Sequence, residues 1–191
     1  GKPIFLPEFY AIEEFAEQLS GLQVLDNMSL QFRLYKAYLQ HPPQKVDSFD
    51  DFLNWSNVLL HDFNEIDRNI IDAKAIYTNL KNVKELEGWS VEDWSFANAD
   101  LTPMQTDYSN FFEGMHNWYT SFSASLLSEN LAYQGMAYRM AAEQIAKRDI
   151  SWKKVWFVGL NALTKSEQEI VDFLKKEDIA RVFWDADKFY Y

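Results

Sequence analysis

The sequence predicts a mainly α protein, a helical bundle followed by a small C-terminal β-α-β segment of a parallel α/β sheet. Three observations carry this. Between residues 11 and 147 apolar side chains recur at steps of three and four, the spacing that lines one face of a helix. Capping residues stand directly ahead of several of these stripes. After residue 153 the pattern changes to short β-branched and aromatic runs on either side of one capped amphipathic stretch. The expected organisation is an extended lead-in over residues 1–10 that packs with the α/β part, a helical subdomain over 11–150 and a β-α-β segment over 151–191.

Each element has a local reason. Pro7 removes a backbone donor and turns Leu6 away from the α region, so residues 4–10 read as extended. A helix from Ala11 to Leu19 stops at Gly21. Asp26 or Asn27 caps the next helix, whose stripe is Leu30, Leu34, Ala37 and Tyr38, and Pro42-Pro43 ends it. Ser48 with Asp51 forms an S-x-x-D variant of the capping box, followed by Phe49, Phe52, Leu53, Ser56, Leu60 and Phe63, which places a helix over 48–68. Asp72 caps a shorter helix carrying Ile76 and Leu80, and Gly88 with residues 89–101 reads as an irregular connection.

Thr102, Pro103 and Gln105 combine an N-cap, a proline at the first helical position and a capping-box partner. They open a long helix with the stripe Met104, Tyr108, Phe111, Met115, Trp118, Phe122 and Leu126. After a break at 128–130, residues 131–147 read as helix, with Ala137, Met140, Ala141 and Ile145 giving a narrow stripe for close packing. A strand over 154–158, a turn over 159–163, a helix over 164–176 and a strand over 181–184 complete the chain. A right-handed crossover makes those strands parallel neighbours, and such strands need further strands and covering helices.

Composition narrows the functional classes. The 191 residues are 48% hydrophobic, enough for a substantial core, and contain no cysteine, which excludes disulfides, thiolate nucleophiles and Cys-based zinc sites. Cytoplasm is the expected compartment, with no membrane span and no secretion signal. Both ends read as cut from something larger. The net charge of −11 is opposite to the usual balance of a nucleic-acid binder, so the chain should bind DNA weakly at best. Aromatic residues make up 17% of the chain, seven Trp among them, and read as core, as such residues usually are in amphipathic helices, not as a base-stacking platform.

The C-terminal residues carry a resemblance. In UvrD-like and RecB-like helicases a strand is followed by Asp-Glu-x-Gln-Asp-Thr and, four residues after the Thr, by a Gln. Here the run VWFV is followed by Gly159, Leu160, Asn161, Ala162, Leu163, Thr164 and then Gln168. Thr164 and Gln168 fall in register and every acidic position is lost. The family's Gly-Asp-x-x-Gln-x-x-Tyr stretch is matched by Asp185 and Tyr191, with Trp184 for the Gly and Lys188 for the Gln. The segments SGLQVLDNMSLQFRLYKAYL, LLHDFNEIDRNI and LAYQGMAYRMAAE resemble inserted helices of AddB-like proteins. The chain therefore resembles the helicase-like region of an AddB/RecB-type, superfamily 1 protein with degenerate ATPase motifs, joined in that family to a C-terminal PD-(D/E)xK nuclease.

That resemblance implies a non-catalytic scaffold or DNA-handling module of a double-strand-break end-processing complex. The implied partners are the remainder of the parent chain with its nuclease domain, a motor helicase subunit and, weakly, DNA. ATP hydrolysis needs one carboxylate to hold magnesium and another to position water, and Gly159 and Leu160 do neither. No cofactor is expected in this stretch, and exonuclease activity is expected of the parent chain alone. Lys147, Arg148, Lys153 and Lys154 are the one basic cluster that could meet a phosphate backbone.

Two other readings stand beside it. One is a helical protein-protein interaction module unrelated to DNA, which an exposed apolar face would favour. The other is a carboxylate-metal bundle enzyme. His61, Asp62 and Glu65 share a helical face, but they lie opposite the Phe52/Leu60/Phe63 stripe and read as solvated charge. Asp67 falls within the apolar stripe and reads as a cap or an ion pair with Arg68 or another helix. His41 and His116 stand isolated, with no nucleophile or second ligand in register.

Overall fold

A computed structural model describes residues 6–87, 103–148 and 150–185. The chain is mainly helical, with two small parallel sheets. The sequence-based expectations for Thr102, the connection 88–101, Lys188 and Tyr191 lie outside the described residues, as do the side chains of Met104, Gln105 and Tyr108.

Helix α1 spans Ile12–Ser20 and ends at Gly21, whose N–H donates to the Glu17 carbonyl at 2.8 Å. Helix α2, Asn27–Gln40, starts where the Asp26 carboxylate accepts from the Ser29 amide at 3.0 Å. Helix α3, Phe49–Arg68, is capped by Ser48 accepting from the Asp51 amide at 3.2 Å. Asp72 accepts from the Ala75 amide at 3.1 Å ahead of α4, Ala73–Glu87. Helix α5 runs Pro103–Ser128, α6 runs Gln134–Gln144 into a 3-10 turn at Ile145–Lys147, and α7 runs Lys165–Lys176.

The strands depart from expectation in two places. Leu131–Ala132, expected as helix, forms strand β2, which pairs in parallel with β1, Gln23–Val24. Asn130 turns the chain out of α5 with φ 57°, and the carbonyls of Asn130 and Ala132 take the amides of Gln23 and Leu25, each at 3.0 Å. Those backbone groups are thus satisfied across the molecule, and α6 starts only at Gln134. Further along, β3 covers Val155–Leu160, two residues into the expected turn, and pairs in parallel with β4, Ala180–Trp184, through α7. A bulge between Val158 and Leu160 absorbs Gly159 and lets the strand continue.

Apolar burial divides into two cores. The larger gathers Leu34 and Tyr38 of α2, Phe52, Leu59 and Phe63 of α3, Trp118, Phe122 and Leu126 of α5, with Tyr133 and Met136 beyond β2. The smaller takes Phe15, Ala16 and Leu19 of α1, Tyr138, Ala141 and Ile145 on the other side of α6, Phe157 of β3, and Ile170, Val171 and Leu174 of α7. Helix α6 therefore shows one face to each core, as its small residues permit. Helix α1 packs with the α/β part. Of the lead-in, Tyr10 meets Trp152 edge to face at 6.3 Å, whereas Leu6 and Phe9 stand exposed, beyond the packing expected of them.

Candidate functional site

Of the residues singled out by the resemblance, the described ones lie at the carboxyl ends of β3 and β4 and on the first turns of α7, where open parallel sheets place ligands. Gly159 has φ 78° and open space where a Cβ would stand. Leu160 accepts the Asp185 amide at 2.9 Å through its carbonyl. Asn161, Ala162 and Asp185 are exposed, and Leu163 packs against the smaller core. Thr164 is the N-cap of α7: its hydroxyl accepts from the Glu167 amide, and Glu167 accepts the Thr164 amide at 2.7 Å, completing a capping box. Gln168 is exposed on the first part of that helix. The side chain at Thr164 thus has a structural task, and Asp185 is the one carboxylate among the described residues of this loop cluster that matches a motif position.

The basic cluster is not uniform. Lys147, Lys153 and Lys154 are exposed. Arg148 reaches back to α1, where its guanidinium donates to the Ser20 carbonyl and to Gln144 Oε1, the latter at 3.2 Å, and lies against Gly21. It closes the C-terminal end of α1, whose last carbonyls otherwise lack partners.

The densest polar cluster of the interior centres on Asp67, which is 1% exposed. Its Oδ1 accepts from the Tyr119 hydroxyl at 2.6 Å and from Arg139 Nη1 at 3.1 Å, and its Oδ2 accepts from the Tyr133 hydroxyl. Arg139 also donates to the Ile71 carbonyl at 2.9 Å and to Glu143 at 2.9 Å. The partner is therefore Arg139, not the adjacent Arg68. Arg68 instead lies over the Tyr138 ring at 5.6 Å and within 4.0 Å of Glu167. Burial, followed by the Asp67 charge, pushes the Tyr119 and Tyr133 hydroxyls above the usual tyrosine range. Burial works against the Arg139 cation, but its bond to Glu143 and the charge of Asp67 hold it above its ordinary value. With both Asp67 carboxylate oxygens taken by donors from α5, α6 and the residue ahead of α6, the cluster joins helices.

His61 and Asp62 are exposed on α3, and Glu65 is half-buried, bonded to Asn69 and near Arg68 at 3.7 Å. They do not converge on an inward point, and the described residues hold no group of three or more His, Asp or Glu placed around a common ion position. A cleft of about 320 Å³ lies beside His61, lined by Asn27, Asn57, Asn64 and Gln134 over Leu30 and Leu60.

One pair was invisible in the sequence. His41 Nε2 lies 2.8 Å from the Ser121 hydroxyl, eighty residues away. A Ser–His contact is the first requirement of a nucleophilic dyad. Here no described carboxylate orients the ring, and the His41 carbonyl is taken by Trp118 Nε1 at 2.8 Å. The pair ties the end of α2 to α5. Comparison with known proteins returns no matching family model, no matching curated protein and no matching solved structure.

Proposed function

We propose that this chain is a non-catalytic, helicase-like module of a DNA end-processing nuclease complex, handling DNA or holding a nuclease and a motor subunit in place. The single observation that supports the reading most is the loop cluster after β3. A parallel β-α-β unit follows a helical bundle, Thr164 and Gln168 keep the motor family's register, and Gly159 and Leu160 occupy the positions of the magnesium and water-positioning carboxylates. A motor site without those carboxylates can still present its backbone scaffold, but it cannot align water on a phosphoryl group.

The DNA role in this proposal is limited by charge. With a net charge of −11, binding rests on Lys147, Lys153 and Lys154. For single strands each phosphate contact contributes a slope of about −0.7 in log K against log salt, so three contacts give about −2. Purified chain titrated with labelled single-stranded oligonucleotide should bind weakly at low salt and lose binding by physiological salt. Lys153→Glu with Lys154→Glu should flatten that slope. The same preparation should release no phosphate from ATP with magnesium and DNA present. DNA-dependent phosphate release that disappears with a substitution between residues 154 and 185 would establish a working motor instead, and binding that survives physiological salt would show that cations are not its basis.

One observation favours a protein-binding role beside this one. Large apolar side chains stand exposed on the outer face of β3 and β4.

A further inference from the structure

Among the described residues, strands β3 and β4 are covered on one face only. Phe157 is buried against Ile170, Val171 and Leu174 of α7 and Phe15 of α1, with Val155 and Val182 packed beside it. On the opposite face Trp156, Val158 and Phe183 are 66%, 71% and 49% exposed. Trp156 and Phe183 meet edge to face with centroids 6.1 Å apart, forming one continuous patch. Parallel strands are found almost only with both faces covered, and two strands by themselves bury too little apolar surface to be stable.

We propose that this outer face is a docking surface for an amphipathic helix of a partner protein, with an apolar inner stripe and Asp or Glu along its borders. Spacing supports a helix. Trp156 and Val158 are two residues apart on β3, about 6.6 Å along the strand. Side chains four apart on a helix rise about 6 Å, so one helical stripe meets both. Charge selects the borders. Lys154 precedes Trp156 at strand alternation, Arg181 pairs in register with Trp156 and alternates with Phe183, and Lys153 lies next to them. All three cations are exposed, and none forms an ion pair with a described residue. In a chain of net charge −11 this local positive excess marks one place where acidic side chains are attracted. A nucleic-acid strand would also meet rings and cations, but Val158 offers nothing to stack on and the remaining charge repels phosphate. The inference stands on the open sheet face and does not depend on a DNA role.

The test uses the whole chain and three fluorescent probes. These are a four-turn amphipathic peptide with a leucine stripe bordered by glutamate, its twin bordered by lysine, and an oligothymidylate. In anisotropy titrations the glutamate peptide should bind at least about ten-fold tighter than the lysine twin. Trp156→Gln and Val158→Thr, at positions already open to water, should each weaken it while leaving the circular dichroism spectrum and the unfolding midpoint unchanged. Lys154→Glu with Arg181→Glu should invert the preference between the two peptides, a result that a misfolded variant does not give. Equal affinity for the twins, no binding of either, or indifference to Trp156 and Val158 would overturn the proposal. Displacement of the peptide by oligothymidylate would assign the face to nucleic acid, and a dimer in sedimentation that Trp156→Gln abolishes would assign it to a second copy of this chain.

Discussion

Replacing Asp67 by alanine should destabilise the protein far more than a typical single substitution, and the structure sets the size. Three donors lose their acceptor. Tyr133 is 2% exposed and buried in the larger core, so its orphaned hydroxyl takes the full cost of an unsatisfied buried group, about 1–3 kcal/mol. Tyr119 is half-buried and reaches water by a small rotation, which places it near the low end of that range. Arg139 has a side chain 24% exposed and keeps the Ile71 carbonyl and Glu143, so its loss is largely screened by solvent. Together these give about 2–4 kcal/mol, the upper part of which overlaps the usual cost of removing one member of a buried ion pair. At about 2–4 °C per kcal/mol for a chain of this size, the melting midpoint should fall by about 10 °C. Urea unfolding followed by circular dichroism measures it. The network predicts coupling as well: in a Tyr133→Phe background the same substitution should cost at least about 1 kcal/mol less, because the worst orphan is already gone. A loss below about 1 kcal/mol, or strict additivity of the two substitutions, would refute the idea that Asp67 holds these helices together.

Three further outcomes follow from the same geometry. Thr164→Ala removes the cap of α7 and should cost about 1 kcal/mol in urea unfolding, with Thr164→Ser restoring most of it. Gly135→Ala should destabilise by about 1–3 kcal/mol, because a Cβ there would overlap the Asn64 carbonyl where α6 crosses α3, and a crystal structure of the variant should show the two helices moved apart. Tyr77, Tyr119, Tyr133 and Tyr138 all have hydroxyls pushed above the ordinary range, first by burial and then by nearby carboxylates. Because the folded state favours the protonated form, their contribution is complete below about pH 10 and is lost as pH rises above it. Absorbance titration should therefore show these four of the ten tyrosines ionising only together with unfolding, and ionisation of all ten near pH 10 in the folded protein would contradict their burial.

What could be read from the sequence was what a few neighbouring residues decide. Asp26, Ser48, Asp72 and Thr164 each cap a helix through an amide three residues on, so the signal and its cause lie within one turn. The face of α3 was legible for the same reason: Phe52 and Phe63 are fully buried while His61 is exposed. Pairings across the chain were not legible. Gln23–Val24 and Leu131–Ala132 are too short to show alternation and exist only because each satisfies the other. Nothing near Asp67 announces Arg139, seventy-two residues on, and the adjacent Arg68 was the misleading local candidate. Ile70 hid a further feature. It adopts φ 53° in the position past a helix end where glycine is usual, with its amide donating to Asp67 and that of Ile71 to Ile66. A β-branched residue gives no sequence cue for that conformation, and its cost of about 1–3 kcal/mol is tolerated where surrounding contacts fix it.

Those contacts show how the two cores are joined. Within four residues the chain places Asp67 in the larger core's polar cluster, Arg68 over Tyr138 and near Glu167, and Ile70 against the smaller core. The Ser166 hydroxyl, fully buried at the start of α7, donates to the Asp67 carbonyl at 3.1 Å. Apolar contacts alone would let α7 and its strands slide over the bundle, since burial is insensitive to direction. Directional bonds from Ser166 and Arg139 to a single residue fix the register instead. The carboxyl ends of β3 and β4, and the apolar face proposed for a partner helix, are therefore presented by a unit anchored to the bundle at Asp67. Removing either directional bond should therefore loosen the angle at which those surfaces stand to the bundle before it exposes either apolar core.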